Sequence, residues 1–406
     1  MAALKSAALQ ENEAISRALG RVASDGDKLL NGDPNAREKL IESARQLVST
    51  VETPVETLLW NTWALPTRNV AARIALDLKI FETAMKDHGR AKTIEELASA
   101  TRASPTLVKR IARACVSMNM LDEQQPSIYL PNKLTKLLSK PEYQGGIIHC
   151  FDITALSFSQ LPTYLKNTGF QNPEDALNGP FQYANKCGSA FTWLAERPEN
   201  FRAFHAYVHA LRLHRPSWSD MYSVQDNLID GLILEGSASA FVDIGGGTGQ
   251  VLQDFHEHVP RYPGRLVLQE IPEVIGAAKG LGVAESGIEL QVHDFFTPQP
   301  IKGARAYFMR SVLHDWPDDQ CRKILGHLKD TMTPGYSKIL ISDCVVADQG
   351  ASWQHVALDL FMMAQVSAQE RTESEWRKLI EGCGLKVKGV YTKGEGNEGL
   401  IEAILE

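Results

Sequence analysis

The chain has 406 residues, 44% hydrophobic and 22% charged, an ordinary soluble composition with length for two or three domains and a large core. Its net charge of −7 gives no reason to expect a polyanion as the main partner. Six cysteines without a C-x-x-C pair argue against a zinc site or a disulfide framework and fit a reducing compartment.

The N-terminus places Glu11 and Glu13 where a signal peptide needs an apolar run. No stretch approaches the roughly 20 apolar residues of a membrane span, so the expectation is a cytoplasmic chain without a membrane partner. Residues 1–60 read as helical, with Asn35 capping a helix whose apolar positions Leu40, Ile41, Leu47, Val48 and Val51 recur at helical spacing. A second helix is expected over 69–86, with Val70, Ile74, Leu78, Phe81 and Met85 on one face. Such an extension needs a partner: a second copy of the chain, or its own catalytic domain. Residues 92–140 follow a winged-helix pattern. Thr93 opens a short helix, Ser104-Pro105 offers an N-cap and a first-turn proline for the next, and 121–130 reads as a hairpin. Nine Lys/Arg against five Asp/Glu in the window 90–142 raise DNA binding as an alternative, with Lys109, Arg110 and Arg113 on the second helix. The chemistry downstream is that of a small molecule, so no nucleic-acid partner is expected. We place a helical dimerisation and winged-helix-like domain at 1–145. A helical connector follows at 146–235, rich in aromatics such as Phe158, Tyr164 and Trp218; most should be core and some should line a substrate pocket.

From 236 to the end, β-rich runs alternate with helical segments, which predicts an α/β fold with a doubly wound, mainly parallel sheet and a closing hairpin. Phe241-Val-Asp-Ile-Gly-Gly-Gly-Thr-Gly249 is a strand running into a glycine loop, with Asp243, Gly245, Gly247 and Gly249 at alternate positions. A nicotinamide fingerprint fails on register, because its third glycine would fall on Gln250. Asp243 would also repel a diphosphate, whereas an acid there suits a cationic ligand tail. Glu270 ends the second strand, where a carboxylate can accept both ribose hydroxyls; a surface Glu capping the helix at Pro272 is the rival. Asp294 and Phe295 follow the third strand, where an acid can take an adenine amino group and a ring can stack on the base. Acids after three successive strands describe a nucleoside with an amino-acid tail, S-adenosylmethionine rather than a dinucleotide.

The segment Met309-Arg-Ser-Val-Leu-His-Asp-Trp-Pro-Asp-Asp319 should end its strand near Leu313 and open a helix at Pro317-Asp318. His314 then stands on the rim beside the cofactor. A structural hydrogen bond is the bland role for such a histidine. Two acids nevertheless arrive at matching places: Asp343 at the end of one strand, and Glu370 before a Thr372-x-x-Glu375 capping box. A carboxylate on one imidazole nitrogen fixes the tautomer and favours the protonated ring. A free phenol near pKa ~10 and a free histidine near ~6.5 differ by about 5 kcal/mol, a gap that such support reduces.

VDIGGGTG, LQEIPEVI, HDFF, LHDWPDD and QERTESEW together make the chain resemble the plant- and fungal-type S-adenosylmethionine-dependent O-methyltransferases, the caffeate/flavonoid-like family, over nearly its whole length. The resemblance implies a class I methyltransferase domain with a Rossmann-like sheet at 236–406 and a homodimer through the N-terminal helices. It implies His314 as base flanked by Asp343 and Glu370. The family more often has Glu at the first of these, so which acid pairs with His314 stays open. It carries cofactor contacts onto Gly245, Gly247, Glu270, Asp294, Phe295 and Arg310, and a substrate-clamping position onto Met362, which a core methionine would equally fill. Some fungal members keep the cofactor but catalyse dehydrations or pericyclic ring closures. In that alternative His149 and Arg310 are a second pair of donors; an ordinary buried hydrogen bond is the other role for His149.

Overall fold

The computed structural model describes residues 2–34, 36–212, 217–393 and 396–406; the cap expected at Asn35 lies outside them. By its internal contacts the chain divides into two units, 1–151 with 203–208, and 152–202 with 209–406. The stretch read as one connector, 146–235, is therefore shared between the two.

The first unit opens with the helices Ala2–Leu30 and Ala36–Val51, joined by a Ser43 hydroxyl that donates to Asp25 at 2.5 Å. A capping box between Thr53 and Glu56 starts Pro54–Leu59. The single helix expected over 69–86 is two, Leu65–Asp77 and Ile80–Gly89. They break at Lys79, whose φ of 51° lies outside the helical region. The strands β1 (Lys92–Thr93), β2 (Asp122–Gln125) and β3 (Ile128–Leu130) form a small antiparallel sheet of order β1-β3-β2. Between β1 and β2 run the helices Ile94–Thr101 and Pro105–Ser117. The first is capped reciprocally by Thr93 and Glu96, whereas Ser104 makes no side-chain cap bond and the second simply starts on Pro105. Their apolar faces meet in a core with Ile80, Phe81, Leu97, Val108, Ile111, Cys115 and Tyr129.

The second unit is the expected α/β layer structure. Its strands are β4 (Ala240–Ile244), β5 (Arg265–Glu270), β6 (Ile288–Val292), β7 (Ala306–Arg310), β8 (Lys338–Val346), β9 (Arg371–Thr372), β10 (Lys386–Tyr391) and β11 (Glu398–Ile404). The main order is β10-β11-β8-β7-β4-β5-β6, with the short β9 paired to the end of β8. Strands β4 to β8 run parallel, and β11 returns antiparallel beside β8. Strand β4 is all buried, as a parallel strand covered on both faces must be. One covering layer stacks Trp218, Phe241 and Phe255, ring centroids 5.0 to 5.8 Å apart. The order turns round between β4 and β7, and in such sheets the crevice beyond the strand ends opens at that point. Among the described residues no helix is long and apolar enough to cross a membrane.

Candidate active site

The glycine loop leaves β4 at the switch in strand order. Gly245, Gly247 and Gly249 all take positive φ (67°, 61° and 85°), and a Cβ on Gly247 would enter open space, with nothing within 4 Å. The loop therefore presents bare main chain outward. Inward it is tightly seated, since a Cβ on Gly246 would collide with the Asp243 carboxylate and Leu268. Asp243 is thus fully buried beneath the loop, where it shapes the turn from below. At the end of β5, Glu270 accepts the Gly247 N–H at 3.1 Å and the Ile271 N–H at 2.9 Å. Burial pushes its carboxyl pKa up against the pull of these two donors. After β6, Asp294 accepts the Phe296 N–H at 2.9 Å. The Phe295 ring lies next to Gly245, 3.6 Å from where a Cβ would stand. Glu270 and Phe295 thus meet the loop at the crevice, and Asp294 stands next to Phe295 after β6. Arg310 does not extend freely toward it: its Nε donates to Glu398 on β11 at 2.7 Å.

On the other side of the switch point, β7 stops at Arg310 rather than near Leu313. Ser311 follows with φ of 52°, a strained conformation for a residue with a side chain and of a kind that collects at functional sites. A single turn, Leu313–Asp315, then carries His314. Its Nδ1 lies 2.8 Å from Glu370 Oε1 and its Nε2 lies 3.7 Å from Asp315 Oδ1. Strand β9 brings Glu370 there, and Asp359 Oδ1 anchors it by accepting its N–H at 2.9 Å. Asp343 sits inside β8, which continues past the end of β7, and not at its terminus. It is 1% exposed and neither carboxylate oxygen has a hydrogen-bond partner. Glu370 is the acid that hydrogen-bonds the ring, and Asp343 stands near it without a hydrogen bond. A cavity of about 20 Å³, room for a water-sized group, joins His314, Asp343, Ser311, His355, Asn397 and Glu398.

Burial opposes the charge on His314, but Asp315, Asp343 and Glu370 together outweigh it and hold its pKa well above the ordinary value. Burial, with the other acids nearby, pushes Asp343 up to about 8 despite the attraction of His314. Burial thus favours the neutral form of the Asp343 carboxyl, whereas the acids around His314 favour the charged form of its ring.

Two candidates remain, His149 and Met362. His149 belongs to the first unit, where it is buried, stacked on Tyr207 at 5.7 Å and tilted on Phe204 at 5.2 Å. Burial lowers its pKa to about 4, so it is a neutral ring at physiological pH. Met362 is buried in the helix Trp353–Val366.

Residues 217–386 match the O-methyltransferase domain and residues 68–141 the O-methyltransferase dimerisation domain. O-methyltransferase mpaG of Penicillium brevicompactum is 34% identical over 389 residues, covering 95% of this chain and 97% of its own. The chain belongs to the O-methyltransferase family. Methyltransferase cfoC of Aspergillus candidus is likewise 34% identical, over 96% of this chain and 98% of its own. Three solved structures share the fold. One, titled "A Pericyclic Reaction enzyme", has a TM-score of 0.85 at 28% identity, covering 95% of this chain and 98% of its own. OxaC in complex with sinefungin and meleagrin also gives 0.85, at 26% identity, covering 97% and 99%. LepI, solved in complex with SAM, matches at 0.85 and 27% identity over the whole of both chains.

Several residues of this family member's site escaped the sequence reading. Asp315 carries no signal of its own beside His314 in the LHDW string, and Glu398 lies in the last strand of the closing hairpin. Arg371 is fully buried and donates to the carbonyls of Leu313 (3.2 Å) and Trp316 (3.0 Å) and to Asp318 at 2.8 Å. It clamps the turn that bears His314 from the same strand that delivers Glu370. Its one sequence signal was its place directly after Glu370.

Proposed function

We propose that the protein transfers a methyl group from S-adenosylmethionine to a hydroxyl of an aromatic or enolic natural product, with His314 as general base. The observation that carries this is the 2.8 Å contact between His314 Nδ1 and Glu370. It commits Nδ1–H to the carboxylate and leaves Nε2 as the nitrogen that takes a proton. The cofactor suits the crevice: Gly245 and Gly247 offer bare main chain, Glu270 stands for the ribose, and Asp294 and Phe295 stand for the adenine. Asp243 supports the loop from beneath, and Arg310, held by Glu398, borders it. When bound, the cofactor supplies a methyl group on a cationic sulfur. The chain's own residues orient the acceptor oxygen, accept its proton at His314 and stabilise the resulting imidazolium through Glu370 and Asp315. Met362 serves the acceptor side.

In the same reading the chain works as a homodimer through its N-terminal helices. Support comes from Val51, Val55, Leu58, Trp60 and Trp63, all exposed, with Trp63 69% accessible. A surface cavity of about 620 Å³ lies among Val51, Leu59, Trp60 and Trp63. An apolar face of that kind is characteristic of an interaction surface, and sedimentation of the whole chain tests it.

A second reading has its own observation. The acids around His314 raise its pKa well above the ordinary value and so favour its protonated form, and an imidazolium donates a proton or polarises a carbonyl instead of removing a proton. That is the chemistry of a cofactor-dependent cyclase or dehydratase. Mass spectrometry on the purified protein with S-adenosylmethionine and a panel of phenols and polyketides separates the two. A product heavier by one CH₂ and lost in His314→Ala supports transfer. An isomerised or dehydrated product with unchanged cofactor supports the cyclase, and His149→Ala belongs in that comparison.

A further inference from the structure

The helix Trp353–Val366 carries one stripe of side chains that starts at the site. His355 and Leu358 line the cavity at His314, Met362 follows one turn later, and Gln365 falls seven residues after Leu358. Seven residues are two turns, so Gln365 lies on the same stripe as Leu358, about 10 Å further along the axis. Its side chain is 7% exposed and its Nε2 has no hydrogen-bond partner. A buried amide donor left in that state bears the cost of desolvation with nothing in return. The helix Ala155–Asn167 packs against this one through an edge-on contact of Phe158 with Phe361, ring centroids 6.1 Å apart. On it Ser157 is fully buried, and its hydroxyl also has no partner. It does not even make the bond to the carbonyl one turn back that a mid-helix serine commonly makes.

We infer that Gln365, seconded by Ser157, reads an oxygen of the acceptor remote from the hydroxyl that reacts. This rests on the acceptor lying beside His314 as proposed above. Because Nε2 only donates, the group it meets is an acceptor of hydrogen bonds: a carbonyl or a second oxygen substituent. The acceptor class narrows to polyoxygenated aromatic or enolic compounds, and the remote contact decides which hydroxyl faces the base. An aromatic wall from Phe158 and Phe361 fits a flat skeleton between the two polar ends.

The test uses two compounds with one skeleton, 4-benzylphenol and 4-hydroxybenzophenone, which differ in a single carbonyl. Dissociation constants for both are measured by calorimetry on the full-length protein with S-adenosylhomocysteine present, for wild type, Gln365→Leu, Gln365→Met and Ser157→Ala. Wild type should favour the ketone, and Gln365→Leu should cut that preference roughly tenfold, the size of one hydrogen bond to a buried donor. Gln365→Met keeps most of the volume and has no donor, so it should lose the ketone preference too and serves if the leucine variant does not fold. Equal preference in wild type and folded Gln365 variants would overturn the assignment while leaving the methyl-transfer reading intact. Failure of wild type to bind either phenol would overturn the acceptor site itself.

Discussion

The cofactor crevice and the base constellation lie on opposite sides of one switch point, yet they are built in opposite ways. The crevice is made of backbone: three glycines at positive φ, a Glu270 carboxylate bonded to main-chain N–H groups, and an Asp294 carboxylate doing the same. The base is made of side chains, His314 among Asp315, Asp343 and Glu370, held by Arg371. Backbone dipoles supply a fixed, moderate field that tolerates a ligand arriving and leaving. Clustered ionisable side chains in a buried place act on one another's pKa strongly. The first arrangement suits holding, and the second suits moving a proton.

That contrast is broken most directly at His314. His314→Ala should lower turnover by ~10²–10⁴-fold, the range for removing a general base, while leaving the affinity for S-adenosylhomocysteine near wild type. Equal losses in both would show that the two regions are not separable. Glu270→Ala should do the reverse, weakening cofactor binding roughly tenfold or more, since hydrogen bonds to a charged group are worth ~1.5–3 kcal/mol, with turnover at saturating cofactor largely kept. Calorimetry and initial rates together read both.

The pH profile sharpens the side-chain half. The base form of His314 is lost below its pKa, which stands well above the ordinary histidine value. The methyl-transfer rate should therefore rise with pH and bend at an inflection above ~6.5. Glu370→Gln removes one of the charges that raise that pKa, so the bend should move to lower pH. An unmoved profile would mean that another group titrates.

The smallest effect concerns stability. The Asp343 carboxyl is raised to about 8 in the folded protein from 3.8. Between those values the unfolded chain releases the proton and the folded chain keeps it, so this group's contribution to stability falls as pH rises through the window and stays low above it. Asp343→Asn does not titrate, and its melting temperature relative to wild type should climb by a few degrees from pH 4 to pH 8. A difference independent of pH would show that Asp343 is not the buried neutral acid described here.

Much of the crevice was legible because its residues follow their strands immediately. A glycine run after an apolar strand, and an acid at the end of each of the next two strands, are local patterns, and sheet topology brings strand ends together without further information. The His314 site was half legible. His314, Asp343 and Glu370 were found, but their division of labour was not. That depended on β8 running past the end of β7, which leaves Asp343 buried within the strand, and on the two-residue β9, which swings Glu370 to the ring. Asp315, Glu398 and Arg371 carried no pattern of their own. The broken helix at Lys79 and the unused cap at Ser104 were likewise decided by packing around them.

By itself the amino-acid order determined the alternation of strands and helices, the glycine turn and the presence of an imidazole flanked by acids, because each is set by neighbours a few residues apart. Only the folded chain decided which carboxylate touches which nitrogen and which one is left uncharged. Those outcomes depend on distances of a few ångströms between residues as far apart as 56 positions, Glu370 from His314, and on burial, which no single stretch of sequence contains.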